Sequence, residues 1–369
     1  MKTIIIDIAP PWLSWEELSH RMDELESLVS TYGGVTIVRR VQKKLTPDYR
    51  TFIGTGKLDE IIATGEELGA ELLIIGNIMK PAQVYNVNEY IRKTKSKIQA
   101  WDRVDLILKI FALHAVSPES KLQIELAAVK HMWPRIYGMG MELSRQWGWS
   151  KNAKWQWETN TEIMKRHLRE KELEIHKKLE TYERTRALHR DHRKRKNLPT
   201  VGIVWYTNAG KSSFFNALTK KWVLAEDKLF ATLGTSVWKV WLPKKWSDNP
   251  SEWREILFND TIGFIRDLPP SLIAAFRSTL EDSIESDILI HLIDASDMWM
   301  DEKIAIVDDT LAQIWAHQKR IYVWNKVDLI STADVEALRE KYAHLSPFFI
   351  SAYSWEGIDI LREQLREML

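Results

Sequence analysis

The stretch Val201–Ser213, reading Val-Gly-Ile-Val-Trp-Tyr-Thr-Asn-Ala-Gly-Lys-Ser-Ser, constrains the architecture more than any other part of the chain. An apolar run followed by Gly210-Lys211-Ser212 is a phosphate loop between a strand and a helix, and such loops sit at strand C-termini in open α/β sheets. Backbone N–H groups from Asn208 through Ala209 to Ser212 and Ser213 are placed to wrap a diphosphate. Lys211 reaches the terminal phosphates, Ser212 offers a hydroxyl to magnesium, and Gly210 lets the backbone come close. One residue breaks the pattern G-x-x-x-x-G-K-[ST]: Trp205 stands where the first glycine belongs. A tryptophan there is expected to overpack the strand-to-loop turn, at a typical cost of about 1–3 kcal/mol, and to weaken nucleotide binding relative to Trp205→Gly.

Two further segments make a set of the loop. Asp260-Thr261-Ile262-Gly263 follows the strand-like Ile256-Leu257-Phe258, and Asn325-Lys326-Val327-Asp328 follows Ile321-Tyr322-Val323-Trp324. Asp328 is suited to accept hydrogen bonds from N1–H and the exocyclic amine of guanine. Adenine has neither donor on that edge and would leave the carboxylate unpaired. A metabolic phosphotransferase on the same loop would need an acceptor pocket and has no use for the Asn325–Asp328 segment. A non-enzymatic binding protein with an impaired nucleotide site remains the main alternative.

At 369 residues the chain is long enough for two or three domains. Lys plus Arg (52) balances Asp plus Glu (51), so net charge selects no partner. The lack of cysteine excludes disulfides, thiolate metal sites and cysteine nucleophiles, and fits a reducing compartment. With no apolar stretch near about 18 residues and no secretory signal pattern, the chain reads as soluble and cytoplasmic, without a membrane span. Tryptophan (18) outnumbers glycine (15), whereas average usage implies roughly 26 glycines.

The pattern divides the chain in three. Residues 1–115 alternate strand-like runs (Thr3–Ile8, Val35–Val41, Leu72–Gly76) with helical ones, the first opening at Ser14 with Glu17 as a capping box. Gly54-Thr55-Gly56-Lys57 lacks full phosphate-loop spacing and reads as a turn opening a helix. Residues 116–198 form a helical hairpin: one helix starts after Ser117-Pro118, and a second runs from about Glu158 to Lys196, joined by a loop over 144–157. Seven Lys or Arg lie between Arg184 and Lys196 against one acid, Asp191, which is either a solvated helix end or a phosphate-contacting patch. Residues 199–369 return to strand, loop and helix, with apolar strands at Val201–Val204, Ile256–Phe258, Ile288–Ile293, Ile321–Val323 and Phe348–Ser351, the mark of a mostly parallel sheet. Trp12, Trp101, Trp133 and Trp315 lie in or near helical patterns and are expected in the core. Trp147, Trp149, Trp155, Trp157, Trp246 and Trp355 fall in segments that read as loops.

These residues resemble the HflX family of ribosome-associated GTPases along nearly the whole chain. The resemblance is carried by Gly56-Lys57, Pro81-Ala82-Gln83, Asp102-Arg103 and Lys121 to Ala127. It continues through Leu143-Ser144-Arg145-Gln146, Glu158-Thr159, Tyr206 to Ser213, Lys228 to Leu233, Asp260 to Ile265, Asn325 to Asp328 and Ser351-Ala352. It implies a Ras-like phosphate-loop GTPase domain behind a small α/β domain and a long antiparallel hairpin. It also implies binding of the large ribosomal subunit and splitting of stalled or idle ribosomes.

The site residues implied are Lys211 and Gly263 at the terminal phosphate, with Ser212, Thr232 and Asp260 around magnesium. Asn325, Lys326 and Asp328 read guanine, supported by Ser351 and Ala352. Arg145 and the basic run Arg184, Arg186, Arg190, Arg193, Lys194, Arg195 and Lys196 become candidate contacts to ribosomal RNA. Asn208 stands where similar GTPases hold potassium. Phe264 follows Gly263 at the place of a water-orienting glutamine, which implies slow intrinsic hydrolysis that the ribosome accelerates.

The departures form one pattern. Tryptophan replaces the glycine at 205, Trp147 to Trp157 replaces a glycine-rich loop, and Gly234-Thr235 replaces an aspartate and proline. The glycine deficit and tryptophan surplus are what a designed, mutated or mistranscribed relative would show if several of its glycines became tryptophan. Sequencing the source gene tests that reading, and native tryptophan codons at 205, 147 and 157 would refute it.

Overall fold

The structure is a computed structural model describing residues 1–131, 151–196, 198–219, 237–242, 254–259, 263–269, 272–273 and 285–369, with backbone alone for 151–164, 193, 194 and 219. Met1–His114 and Lys121–Glu180 fall in one compact unit, and most of the chain from Thr181 onward falls in a second.

The first unit is built on a parallel sheet of β1 (Lys2–Ala9), β2 (Val35–Lys43), β3 (Leu72–Ile75) and β4 (Gln99–Asp102), in the order β2-β1-β3-β4. β1 and β3 are continuous apolar runs because both faces are covered, whereas β2 lies at an edge and is partly exposed. The crossovers carry α1 (Trp15–Tyr32), α2 (Thr55–Leu68) and α3 (Pro81–Lys93), and α4 (Arg103–His114) follows β4. α1 opens on the expected box: Ser14 Oγ accepts from Glu17 N–H, and Glu17 carboxylate accepts from Ser14 N–H. α2 begins after Gly54, so that segment is the helix-opening turn expected of it. β4 was not anticipated, because Gln99-Ala-Trp-Asp is too short and mixed to show a strand period.

A helix over 118–131, α5, begins after Ser117, whose Oγ accepts from Ser120 N–H at 3.0 Å. It packs on α6 (Lys151–Arg195) through Leu126, Val129 and Ile175, with Glu125 paired to Lys171 at 2.7 Å. α6 starts at Lys151 rather than near Glu158, so Trp155 and Trp157 stand on helical backbone and not in a loop. No proline or glycine occurs from Lys151 to Arg195 to stop the helix sooner. Trp147 and Trp149 lie outside the described residues, as do Trp133 and Trp246.

The second unit carries β5 (Thr200–Trp205), α7 (Lys211–Thr219), β6 (Val237–Leu242), β7 (Arg254–Asn259), β8 (Ile288–Asp294) and α8 (Met300–Gln313). β9 (Lys319–Asn325), α9 (Thr332–Lys341), β10 (Phe348–Phe349) and α10 (Ile358–Met368) follow. The sheet order is β10-β9-β8-β5-β7-β6, parallel except for β6, which runs antiparallel to β7. β6 was not foreseen, since Val-Trp-Lys-Val-Trp-Leu keeps no strict alternation of apolar and polar residues. β5 lies between β7 and β8 at the point where strand order reverses, and its C-terminal end therefore opens on the binding crevice of this sheet type.

Two tryptophans expected in the core are on the surface: Trp12 is 72% exposed and Trp315 is 73% exposed. Trp12 follows Pro10-Pro11 in a turn. Trp315 terminates α8 with φ +62°, its N–H donating to Ala312 O and Ala316 N–H donating to Leu311 O. That pair of bonds is the Schellman closure, whose left-handed residue is ordinarily glycine. Trp355 also has φ +69°. By contrast α1 and α2 end on Gly33 and Gly69, which take φ +91° and +69° without a side-chain penalty.

Within β8, His291 is fully buried beside the Tyr322 ring, with Nδ1 3.7 Å from the Asp308 carboxylate. Burial holds the imidazole pKa below its ordinary value, against the pull of Asp308. The unfolded chain therefore takes up a proton near pH 6.5 that the folded chain refuses, so stability is full above that pH and is lost below it. Urea unfolding should show stability falling as pH drops from 7 to 5.5, with a slope approaching about 1.4 kcal/mol per pH unit, and His291→Gln should flatten that slope. Trp315→Gly should raise unfolding free energy by about 1 kcal/mol, and an unchanged or lower urea midpoint would contradict the strain at this cap.

Candidate functional site

The loop after β5 is pinned on both sides. Phe264 N–H donates to Trp205 O at 2.8 Å and Thr207 N–H donates to Phe264 O at 2.9 Å, tying the loop to the segment after β7. Ala209 N–H donates to Tyr206 O, and Phe214 N–H donates to Gly210 O to start α7. The turn needs left-handed backbone at Asn208 (φ +69°) and Gly210 (φ +86°), and asparagine and glycine are the residues that accept it most readily.

The other side of the loop is held by the end of β9. Asn325 is 1% exposed; its Nδ2 donates to Ala209 O at 3.0 Å and its Oδ1 accepts from Ala352 N–H at 3.0 Å. Lys326, in left-handed conformation, donates to Asn208 O at 3.0 Å and pairs with Asp294 at 2.7 Å. A Cβ on Gly210 would come within 2.5 Å of Asn325 Nδ2, so this close approach requires glycine. Asp328 is exposed, and one carboxylate oxygen accepts from Ser351 Oγ at 2.5 Å. Thus Asn208, Ala209, Gly210, Asn325, Lys326, Asp328, Ser351 and Ala352 are brought into one hydrogen-bonded assembly.

Trp205 is buried, 5% exposed, in the core beneath the loop. Lys211 Nζ lies 4.7 Å from its ring centroid and 5.8 Å from that of Phe215. A Cβ on Gly263 would sit 2.7 Å from the indole Nε1. The indole therefore touches both residues expected at a terminal phosphate. Phe264 is buried, leaving no polar side chain at the position after Gly263.

Ser212 and Ser213 are half-buried in the first turn of α7. Thr232, Asp260 and Arg145 lie outside the described residues. A serine hydroxyl, a threonine hydroxyl and an aspartate carboxylate form an oxygen-only donor set, which fits the ligand preference of magnesium. In the basic run, Arg186 is paired with Glu119, and Arg190 Nε lies 2.7 Å from Glu285, both arginines being mostly covered. Arg184, Arg195 and Lys196 are exposed, and the side chains of Arg193 and Lys194 lie outside the description.

Sequence reasoning missed Asp294, the carboxylate that anchors Lys326, because it follows a strand with no motif around it. It also missed that the Asn325 amide serves the loop and Ala352 together; the buried amide at a strand end was the available signal.

Three family models match the chain: "GTP-binding GTPase N-terminal" over residues 19–112, "GTP-binding GTPase Middle Region" over 114–193, and "50S ribosome-binding GTPase" over 200–326. GTPase HflX of Caldanaerobacter subterraneus subsp. tengcongensis is 38% identical over 358 residues, covering 97% of this chain and 79% of that protein. GTPase HflX of Escherichia coli is 34% identical, covering 94% and 79%. The crystal structure of SsGBP with GDP aligns with TM-score 0.54 and 26% identity, covering 100% of this chain and 98% of that one. A GTP-binding protein from Sulfolobus solfataricus in complex with GDP aligns over the same shares with TM-score 0.50 and 26% identity. Among the described residues no helix is long and apolar enough to cross a membrane.

Asn325→Ala strips partners from a buried carbonyl and a buried N–H, at a cost of about 1–3 kcal/mol. The urea midpoint should fall accordingly and GDP affinity should fall with it, whereas an unchanged midpoint would show that the loop is held by something else.

Proposed function

The chain belongs to the HflX family of GTPases, enzymes of the phosphate-loop class that hydrolyse GTP, and from that premise we propose that it acts on the large ribosomal subunit and splits or recycles stalled ribosomes. The observation that carries the nucleotide half of this reading is the single assembly in which Asn325 and Lys326 grip the phosphate loop while Ser351 steadies Asp328. The ribosomal half rests on the match of residues 200–326 to the 50S ribosome-binding GTPase family.

In this reading, backbone N–H groups of Asn208 to Ser213 hold the phosphates, and Lys211 neutralises their charge as water attacks the terminal phosphorus in line. Gly263 N–H meets the terminal phosphate. Asp328 accepts from the guanine edge, with its other oxygen oriented by Ser351, and Ala352 backs the base pocket. Ser212, Thr232 and Asp260 would hold magnesium, which supplies charge neutralisation between the phosphates. Asn208 is proposed to favour a potassium ion at the same loop. The N-terminal α/β domain (1–115), the hairpin (116–198) and the GTPase domain (199–369) act as three parts. Arg145, Arg184 and the exposed end of the basic run at Arg195 and Lys196 meet ribosomal RNA, with Arg193 and Lys194 alongside. Arg186 and Arg190 bind their glutamates first and contribute less. A cytoplasmic location accompanies this partner.

A second reading, an RNA-binding protein with an impaired nucleotide site, is favoured by one observation, the contact of the Trp205 indole with Lys211. GTP turnover with and without purified large subunits separates the two. A ribosome-stimulated rate supports the first, and salt-sensitive subunit binding that ignores GTP supports the second. Equal turnover in sodium and potassium would remove the role given to Asn208. Asp328→Asn, which puts an amide N–H against the guanine donors, should cut GTP affinity by about a hundredfold, two charge-assisted hydrogen bonds being lost; nucleotide titration reads this directly.

A further inference from the structure

We propose that Trp205 makes this nucleotide site discriminate between di- and triphosphate, because its indole packs against both groups that would receive a terminal phosphate. The proposal deepens the guanine-nucleotide reading above and rests on it.

The two groups expected to meet a terminal phosphate are the Lys211 ammonium and the Gly263 backbone. Both touch one ring: Lys211 Nζ is 4.7 Å from the indole centroid, and the Gly263 Cα has no room for a Cβ because Nε1 would be 2.7 Å from it. The ring is held there by burial at 5% exposure, and by the backbone bond from Phe264 N–H to Trp205 O that fixes Gly263's neighbour against the end of β5. An ammonium over a desolvated indole is an attractive contact that a phosphate must displace. A ring packed this closely against Gly263 leaves its backbone little room to turn toward a phosphate without movement of β5 or of the segment after β7.

A diphosphate makes different demands. Its phosphates lie against the backbone N–H groups from Asn208 to Ser212, a turn held by Asn325 and Lys326 through Ala209 O and Asn208 O. The base contact at Asp328 is likewise made by β9 and the segment after β10. Trp205 therefore acts mainly on the terminal phosphate: Gly263 meets no other part of the nucleotide, and Lys211 alone is shared with the diphosphate. Glycine at that position would remove the ring that packs against Lys211 and Gly263 and end its cation–π contact with the ammonium.

The test is titration of the full chain with GDP and with a non-hydrolysable GTP analogue, in magnesium, for the chain as it stands and for Trp205→Gly and Trp205→Ala. The chain as it stands should bind GDP tighter than the triphosphate by about tenfold or more, and both variants should close that gap mainly by gaining triphosphate affinity. Circular dichroism and retained GDP binding establish that each variant is folded. Equal affinities of the unaltered chain for the two nucleotides would overturn the proposal, as would a variant that shifts both affinities by the same factor. Absence of any guanine nucleotide binding by all three folded chains is a different result: it overturns the guanine-nucleotide reading itself, and this proposal with it.

Discussion

The amide of Asn325 is the contact on which the second unit's site depends. One side chain, buried at the end of β9, satisfies the Ala209 carbonyl in the phosphate loop and the Ala352 N–H beyond β10. Both groups are buried, so each would carry a desolvation penalty if left unpaired. An apolar residue of similar size would fill the space and satisfy neither, while an aspartate would set a carboxylate against a carbonyl. Asparagine is required because it offers a donor and an acceptor in one planar group. Gly210 follows from the same constraint, since only a residue without Cβ lets the loop come this near the amide.

The tryptophan surplus has a physical meaning that composition could not supply. Trp315 and Trp355 sit in left-handed backbone, and Trp205 sits where two backbones converge. These are the two circumstances in which glycine is favoured: positive φ and close approach. Trp315 completes a Schellman closure made by its neighbours' carbonyls, so the geometry of the cap persists whatever the side chain. The three sites are unrelated in the fold. What they share is a local demand for glycine.

Much of the parallel sheet was legible because buried parallel strands read as apolar runs, and β1, β3, β5, β7, β8 and β9 all do. The capping box of α1 and the phosphate loop were legible because their chemistry is local, with partners a few residues apart. β4 and β6 were illegible for the opposite reason: each is a strand only because a neighbour pairs with it. The site was readable residue by residue and not as a whole. That Lys326 is anchored by Asp294, or that Arg186 and Arg190 are taken by Glu119 and Glu285, depends on contacts between residues far apart in sequence. The core assignment of Trp12 and Trp315 failed because proximity to a helical pattern does not distinguish a buried face from a helix end.

The strand order explains why one residue at 205 has such reach. β5 is flanked by β7 and β8, so its last residue borders the segment after β7 on one side and the phosphate loop ahead. Backbone bonds from Phe264 to Trp205 and from Thr207 to Phe264 make those two segments a single ladder. A side chain inserted at its base cannot be accommodated by moving one segment alone, since the other is tied to it. Phe264, buried in the same ladder, offers no polar group to orient water. Turnover at this site therefore depends on how the backbone around Gly263 is arranged, and the indole of Trp205 is the group packed directly against it.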